Sequence, residues 1–340
     1  MIVLGIETSC DETSLCILES TSSFPIIHKT LTFSQIELYK EWGGVVPEIA
    51  SRNHLKKIKP LLIQLLKETS LSMKDIELIG VTTTPGLLGP LLTGLNLAKS
   101  ISFIHQTPIL PINHLHAHIE AIHIDQKVDY PYLGLILSGG HSLFVKASAP
   151  SDFEILATTI DDAAGEAFDK GGKILGLDYP AGPEIDEISK EGDESAYQFP
   201  IGLEKEKSNP NMSFSGLKTS LLNLSKKTDL KANLQNIIAS YQQAIIKNII
   251  HKFTIIQKKN LQLPIVVGGG VACNSKLRKE MKENFSDVFF VSPKFCTDNA
   301  AMIANLCALN YKQALPYPEC LHFDAKSRAV DKASLRGEKR

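Results

Sequence analysis

Five of the ten histidines of this 340-residue chain fall between His105 and His123. In Asn113-His114-Leu115-His116-Ala117-His118-Ile119-Glu120, His114 and His118 stand four residues apart. On a helix that spacing puts two imidazoles on one face, where they can grip one metal ion, and turns His116 roughly the other way. The bland alternative is a polar helix end with solvated imidazoles. Two imidazoles leave a metal site incomplete, because such sites usually take at least three protein ligands. A carboxylate from elsewhere must complete it. Asp298, opening a helix just after Cys296-Thr297, is one candidate, but spacing does not select it, and it would serve equally as a plain N-cap. The metalloprotease pattern H-E-x-x-H is absent, since Leu115 stands where its general-base Glu belongs.

Two glycine turns follow apolar runs: Ser138-Gly139-Gly140-His141 and Gly268-Gly269-Gly270. Such turns let backbone N–H groups approach a phosphate, and a helix start adds favourable potential. Neither matches the P-loop or the Rossmann fingerprint. The stretch Asp161–Lys170 places Asp162, Glu166 and Asp169 at i, i+4 and i+7, on one helical face. Capping and solubility explain Asp161 and Asp162; they do not explain Asp169, which lies past the first turn and suits the hydroxyls of a ribose. Asp178-Tyr179-Pro180-Ala181-Gly182-Pro183, with Asp186 following, is a tight turn in which Gly182 permits close ligand approach. The polar turn Glu7–Thr13 carries Asp11, a carboxylate that could face a metal or a nucleophile; hairpin chemistry alone would also account for it.

The elements that must position these residues read as alternating strands and helices. Ile2–Ile6 suits a buried strand that pairs with Ser14–Glu19 across the turn Thr8–Thr13. Leu55, Ile58, Leu62, Leu65 and Leu66 share one helical face. Leu78–Thr83 and Ile109–Ile112 read as strands, with an apolar helix Leu91–Ile104 between them. Tyr132–Leu137 and Ser142–Lys146 then repeat the opening strand–turn–strand layout, which suggests two related α/β domains. Further on come helices at Asp161–Leu175 and Leu234–Lys258, a strand Pro264–Val267 with a helix from about Ser275, a strand Val288–Val291 and a helix Asp298–Tyr311. Lys205–Ser215 reads as a mobile loop, and the end of the tail after Pro316 as frayed. The composition, 43% hydrophobic and 21% charged, is that of an ordinary globular protein, and the net charge of -1 gives no overall nucleic-acid signature. Six cysteines without a C-x-x-C pair read as reduced thiols. No signal peptide and no membrane-spanning run is expected.

Long collinear motifs carry a resemblance. They are GIETSCDETS at 5–14, GGVVPEIASRNH at 43–54, ILSGGHS at 136–142, DDAAGEAFDK at 161–170, LGLDYPAGP at 175–183, FSGLKT at 214–219, GGGVACNSKLR at 268–278 and FCTDNAAMIA at 295–304. Through these the chain resembles the universal tRNA N6-adenosine threonylcarbamoyltransferase family, once misnamed O-sialoglycoprotein endopeptidase. The resemblance implies an α/β, two-lobed actin-like or Hsp70-like nucleotide-binding fold with duplicated domains. The lobes are expected at 1–108 and 109–297, with 298–340 a helix and tail packing back on the first lobe. It implies metal ligands at His114, His118 and Asp298, with iron or zinc as the ion and iron preferred. It implies substrate contacts at Ile136, Leu137, Ser138, Gly139, Gly140, Asp169, Gly182, Asp186 and Asn274. The implied donor is threonylcarbamoyl-AMP and the acceptor the adenosine beside the anticodon in tRNAs reading codons that begin with A. The implied partners are tRNA, a shorter paralogue of the same fold and a small ATPase, in the cytoplasm.

Two departures stand out. Thr84-Pro85-Gly86-Leu87-Leu88-Gly89-Pro90 replaces the family's usual G-P-G-L-x-G, and Asn113 stands where many relatives have a further His. Neither touches an expected ligand. Asp11 is the choice for metal placement or proton transfer. The competing readings are an actin-like ATPase or sugar kinase, which would begin with a D-x-G turn rather than E-T-S-C-D-E-T, and a non-catalytic scaffold for tRNA or a partner.

Overall fold

In the computed structural model the apolar opening run becomes β1 (Ile2–Glu7), which is buried along nearly its whole length. The structure describes residues 1–39, 44–260 and 262–328. Gly43 of the GGVVPEIASRNH motif and the frayed end expected at SLRGEKR (334–340) lie outside them.

β1 pairs antiparallel with β2 (Glu12–Glu19), with Ile6 opposite Leu15 and Glu7 opposite Ser14. β2 pairs antiparallel with β3 (Ile26–Ser34), an edge strand that no apolar run announces. The short helix α1 (Ile36–Tyr39) follows, then α2 (Pro47–Thr69). β4 (Leu78–Thr84) pairs parallel with β1, and β5 (Ile109–Asn113) parallel with β4. Parallel neighbours need a crossover; α3 (Leu88–His105) provides the one between β4 and β5. The sheet order is β3-β2-β1-β4-β5, and α4 (His114–Glu120) leaves β5 without a break.

Alternation along β1 assigns its two faces. Leu4 and Ile6 join Ile58 and Leu65 of α2 and Leu95 and Ile101 of α3 in one core. Leu55 does not belong to that face, contrary to the periodicity: it is 67% exposed, whereas the neighbouring His54 is buried. The imidazole can occupy a buried position because both nitrogens are bonded, to Thr13 Oγ1 at 2.7 Å and to the Cys10 carbonyl at 3.0 Å.

The second sheet repeats the first. β6 (Tyr132–Leu137), β7 (Ser142–Ala149) and β8 (Asp152–Thr158) form an antiparallel meander. Helices α5 (Ala164–Leu175), α6 (Gly182–Ile188), α7 (Ser215–Ser225) and α8 (Leu234–Gln257) follow. Then come β9 (Ile265–Gly268), α9 (Ser275–Asn284), β10 (Val288–Phe290) and α10 (Pro293–Cys296). β9 pairs parallel with β6 and with β10. The order β8-β7-β6-β9-β10 matches β3-β2-β1-β4-β5 strand for strand and direction for direction. The segment expected to be a mobile loop is tied down instead. The buried Lys252 ammonium donates to the Leu203 and Asn209 carbonyls, and Met212 bridges to Thr159.

The chain divides into Met1–Gln126 together with residues from Asp298 onward, and Lys127–Thr297. The first boundary lies beyond the 108 read from sequence, because β5 is the fifth strand of the first sheet and α4 continues from it. The last helix, α11 (Ala300–Leu309), lies on the face of the first sheet opposite α2 and α3. Gly5 and Gly80 are direct neighbours there in the β1–β4 register. A Cβ on Gly5 would lie 2.3 Å from the Ala300 carbonyl oxygen, and one on Gly80 2.6 Å from Cys307 Cβ.

Gly5→Ala is therefore expected to lower stability by about 1–3 kcal/mol in chemical denaturation, the usual cost of overpacking a filled interior. Gly139→Ala serves as the comparison, because a Cβ there meets nothing within 4 Å and should leave the midpoint unchanged.

Candidate functional site

α4 begins where Asn113, the last residue of β5, accepts the Leu115 and His116 backbone N–H groups on Oδ1 at 2.9 and 3.1 Å. That cap makes His114 the first helical residue and sets His118 one turn later. Their Nε2 atoms lie 3.1 Å apart, with both rings buried. His116 turns away and lies 3.5 Å from the Glu120 carboxylate.

The third group arrives with α11. The N-cap of that helix is Asn299, whose Oδ1 accepts the Met302 N–H at 3.1 Å; Asp298 does not take that role. Asp298 precedes the cap, with its Oδ1 3.1 Å from His118 Nε2 and 3.5 Å from His114 Nε2. One ligand atom from each of the three residues lies within 4.8 Å of the others. The Ala300 N–H donates to Ser14 Oγ at 3.0 Å and anchors the start of the helix to β2.

The donor chemistry fits a divalent cation. His114 Nδ1 is 3.0 Å from Glu7 Oε2. A carboxylate only accepts, so Nδ1 carries a hydrogen, and Nε2 is the ring atom left to meet a cation beside the other two groups. Glu7 also accepts the Ser9 N–H and the Thr82 hydroxyl, each at 2.6 Å. Burial works against its charged form, yet His114 beside it holds the Glu7 carboxyl below the usual range. Burial likewise opposes charge on His114, but the Asp298 and Glu7 carboxylates outweigh it and lift the imidazole to about 9. Asp11 and Glu12 bring two more carboxylates, which with Asp298 form a second group within 4.8 Å. Burial, then Asp298 and Asp11, push Glu12 up to about 10.

Sequence reading singled out Asp11 from this turn and passed over Glu7. The available signal was positional. Gly5 faces α11, and Glu7, two residues further along the same strand, must face the same way.

The second unit collects the remaining expected residues. Ile136 and Leu137 are buried in β6, and Ser138–His141 closes the β6–β7 hairpin, with the Ser138 N–H donating to the His141 carbonyl at 2.8 Å. The start of α5 lies against this turn: a Cβ on Gly165 would come within 2.7 Å of Gly139 Cα. The other glycine turn lies beside the first, because Gly269, at a φ of +88°, backs onto the Leu137 carbonyl at 2.5 Å from where a Cβ would stand. α5 begins at Ala164, so Asp161 lies outside it and instead caps α7, accepting the Phe214 N–H at 2.7 Å. Asp169 is raised by burial and accepts the Ala181 N–H at 2.9 Å, just ahead of Gly182. Asp186 accepts the Ser275 N–H and hydroxyl, each at 2.9 Å. Asn274 caps α9 and donates to Gln242 Oε1 at 2.7 Å. Asp169 is thus tied to the segment entering α6, and Asp186 on α6 to the segment entering α9.

A cation held by Nε2 of His114 must displace a proton wherever that ring is charged. Below about 9 the metal-free ring is protonated, so apparent affinity should climb about tenfold per pH unit as pH rises toward about 9 and level off there. The charged ring's contribution to metal-free stability runs the opposite way. It is full below 6.5 and lost as pH rises through about 9. Chelator competition and thermal melts across that range check both signs.

Comparison with known proteins shows the family. The family model described as tRNA N6-adenosine threonylcarbamoyltransferase (TsaD) matches residues 27–305. A protein of that name from Syntrophus aciditrophicus is 43% identical over 312 residues, covering 89% of this chain and 90% of its own length. One from Thermosipho africanus is 44% identical over 323 residues, covering 93% and 96%. Among solved structures, full-length HypF in its phosphate- and nucleotide-bound form aligns with a TM-score of 0.58 at 14% identity, over 92% of this chain and 46% of that one. The activator of 2-hydroxyisocaproyl-CoA dehydratase from Clostridium difficile, with bound ADPNP, aligns at 0.54 and 16%, over 92% and 95%. These two speak for the fold alone. With 43% identity across nine-tenths of both chains, this chain belongs to the tRNA N6-adenosine threonylcarbamoyltransferase family.

Proposed function

We propose that this chain transfers the threonylcarbamoyl group of threonylcarbamoyl-AMP to N6 of the adenosine beside the anticodon in tRNAs that read codons beginning with A. Membership of the family supports the reading, and the convergence of His114, His118 and Asp298 is the observation that carries it. In the reaction the N6 lone pair attacks the carbamoyl carbon. The bond from that carbon to the phosphate oxygen breaks, AMP leaves with the electron pair, and the amine gives up a proton. The exocyclic amine of adenine is a weak nucleophile, so positioning and charge stabilisation supply most of the rate.

His114, His118 and Asp298 would hold one divalent ion, iron or zinc with iron slightly preferred; two imidazoles and a carboxylate suit those two about equally and magnesium less well. When bound, that ion supplies a fixed positive charge and Lewis acidity. The chain's own groups do the rest. In the stretch Ile136–Gly140 the backbone N–H groups of the Gly139-Gly140 turn hold the donor phosphate, and Asp169, Gly182, Asp186 and Asn274 hold its nucleoside. Asp11, close to Asp298, takes the proton or places the metal. No helix among the described residues is long and apolar enough to cross a membrane. Action on tRNA is the support for placing the chain in the cytoplasm. The net charge of -1 fits a tRNA surface completed by partners, a shorter paralogue and a small ATPase.

Transfer of labelled threonylcarbamoyl from preformed adenylate to unmodified tRNA, with the partner proteins present, is the direct assay. His118→Ala and Asp298→Ala should cut transfer at least about a hundredfold, the scale of losing one charge-stabilising group. Asp11→Asn should lose about 10²–10⁴-fold, the range for a general base. Full transfer by Asp11→Asn would remove Asp11 from the mechanism. Full transfer by His118→Ala would remove the metal.

A further inference from the structure

Glu7 is fully buried at the end of a central strand. A buried carboxylate is tolerated only when it is well bonded or paired with charge. Its three donors are the Ser9 N–H, the Thr82 hydroxyl and His114 Nδ1, at 2.6, 2.6 and 3.0 Å. A purely structural account would stop at the first two, which close the turn after β1 and tie β1 to β4. Those bonds need only a neutral acceptor. The third bond is the one that uses a carboxylate, because it fixes a hydrogen on a particular ring nitrogen.

The two histidines differ here. His114 Nδ1 has Glu7 at 3.0 Å and Ser9 Oγ at 3.2 Å. His118 Nδ1 is buried with no hydrogen-bond partner. The ring angle and tautomer of the pair therefore rest on the His114 side. We propose that Glu7 is a positioning residue for the candidate metal centre. It holds His114 as the Nδ1–H tautomer, with Nε2 turned toward His118 Nε2 and Asp298 Oδ1. The inference rests on reading those three residues as metal ligands. It adds a carboxylate behind one of them, an arrangement that raises ligand basicity and fixes ring orientation.

The test uses the full chain and two probes, zinc affinity by competition with a chromogenic chelator and the visible spectrum of the cobalt(II) form. Glu7→Ala should weaken zinc binding toward a hundredfold and Glu7→Gln about tenfold, the range for removing such a partner, and both should alter the cobalt spectrum. Thr82→Val removes a bond to the same carboxylate but leaves it on His114, so it should lower stability while keeping zinc affinity within about twofold and the cobalt spectrum unchanged. If Glu7→Ala fails to fold, Glu7→Gln decides. Wild-type affinity and spectrum in Glu7→Gln would overturn the proposal, as would a Thr82→Val loss equal to that of the Glu7 variants. His118→Ala is the control. Loss of zinc there with Glu7 variants unaffected would sink this inference and leave the metal reading standing. Zinc binding that survives His118→Ala would sink both. A wild type that binds zinc at these residues yet transfers nothing would contradict only the transferase reading.

Discussion

A pair of glycines on the first sheet governs what the rest of the molecule can do. Gly5 and Gly80 are neighbours across the β1–β4 ladder, and the space where their side chains would stand is filled by α11. Without that close approach the helix would ride higher on the sheet, and Asp298 just ahead of it would not meet His114 and His118. The same strand alternation that sends Gly5 toward α11 sends Glu7 toward His114. One packing constraint thereby sets where Asp298 meets the two imidazoles and where Glu7 backs His114.

Electrostatics explains why the assembly suits a cation. Buried Glu7 and part-exposed Asp298 flank two buried imidazoles, and Asp11 and Glu12 gather about the same Asp298. Carboxylates so placed raise the cost of one another's charge, as the upward push on Glu12 records, and lift the charge of His114. A positive ion relieves both effects at once. The second unit answers a different demand. Its glycine turns and helix starts present backbone N–H groups, and Asp169, Asp186 and Asn274 tie the segments entering α6 and α9. The two units share one topology and carry different chemistry on it, which is the ordinary relation between a fold and its sites.

Much of this was legible in the sequence. The apolar runs located eight of the ten strands of the two sheets, with bounds within about three residues, and the repeat of strand, polar turn and strand pointed to a duplicated fold. β3 and β8 escaped because edge strands need no continuous apolar run: β3 mixes Ile26 and Leu31 with His28, Lys29 and Thr30. His54 escaped because helical periodicity counts apolar residues, whereas its burial depends on two hydrogen bonds made to a distant turn. Asp298 could be proposed as a helix cap but not chosen as a ligand, since spacing along the chain says nothing about a contact 180 residues away. The boundary at 108 fell short because a strand belongs to the sheet it pairs with, and pairing is not local.

The central claim is that His114, His118 and Asp298 hold one metal ion. Anomalous diffraction from crystals of the full chain grown with zinc tests it most directly. The account predicts one strong peak about 2.0–2.2 Å from both Nε2 atoms and from an Asp298 oxygen. A peak bound by Asp11, Glu12 and Asp298 with the imidazoles uninvolved, or no peak near the pair at all, would contradict it.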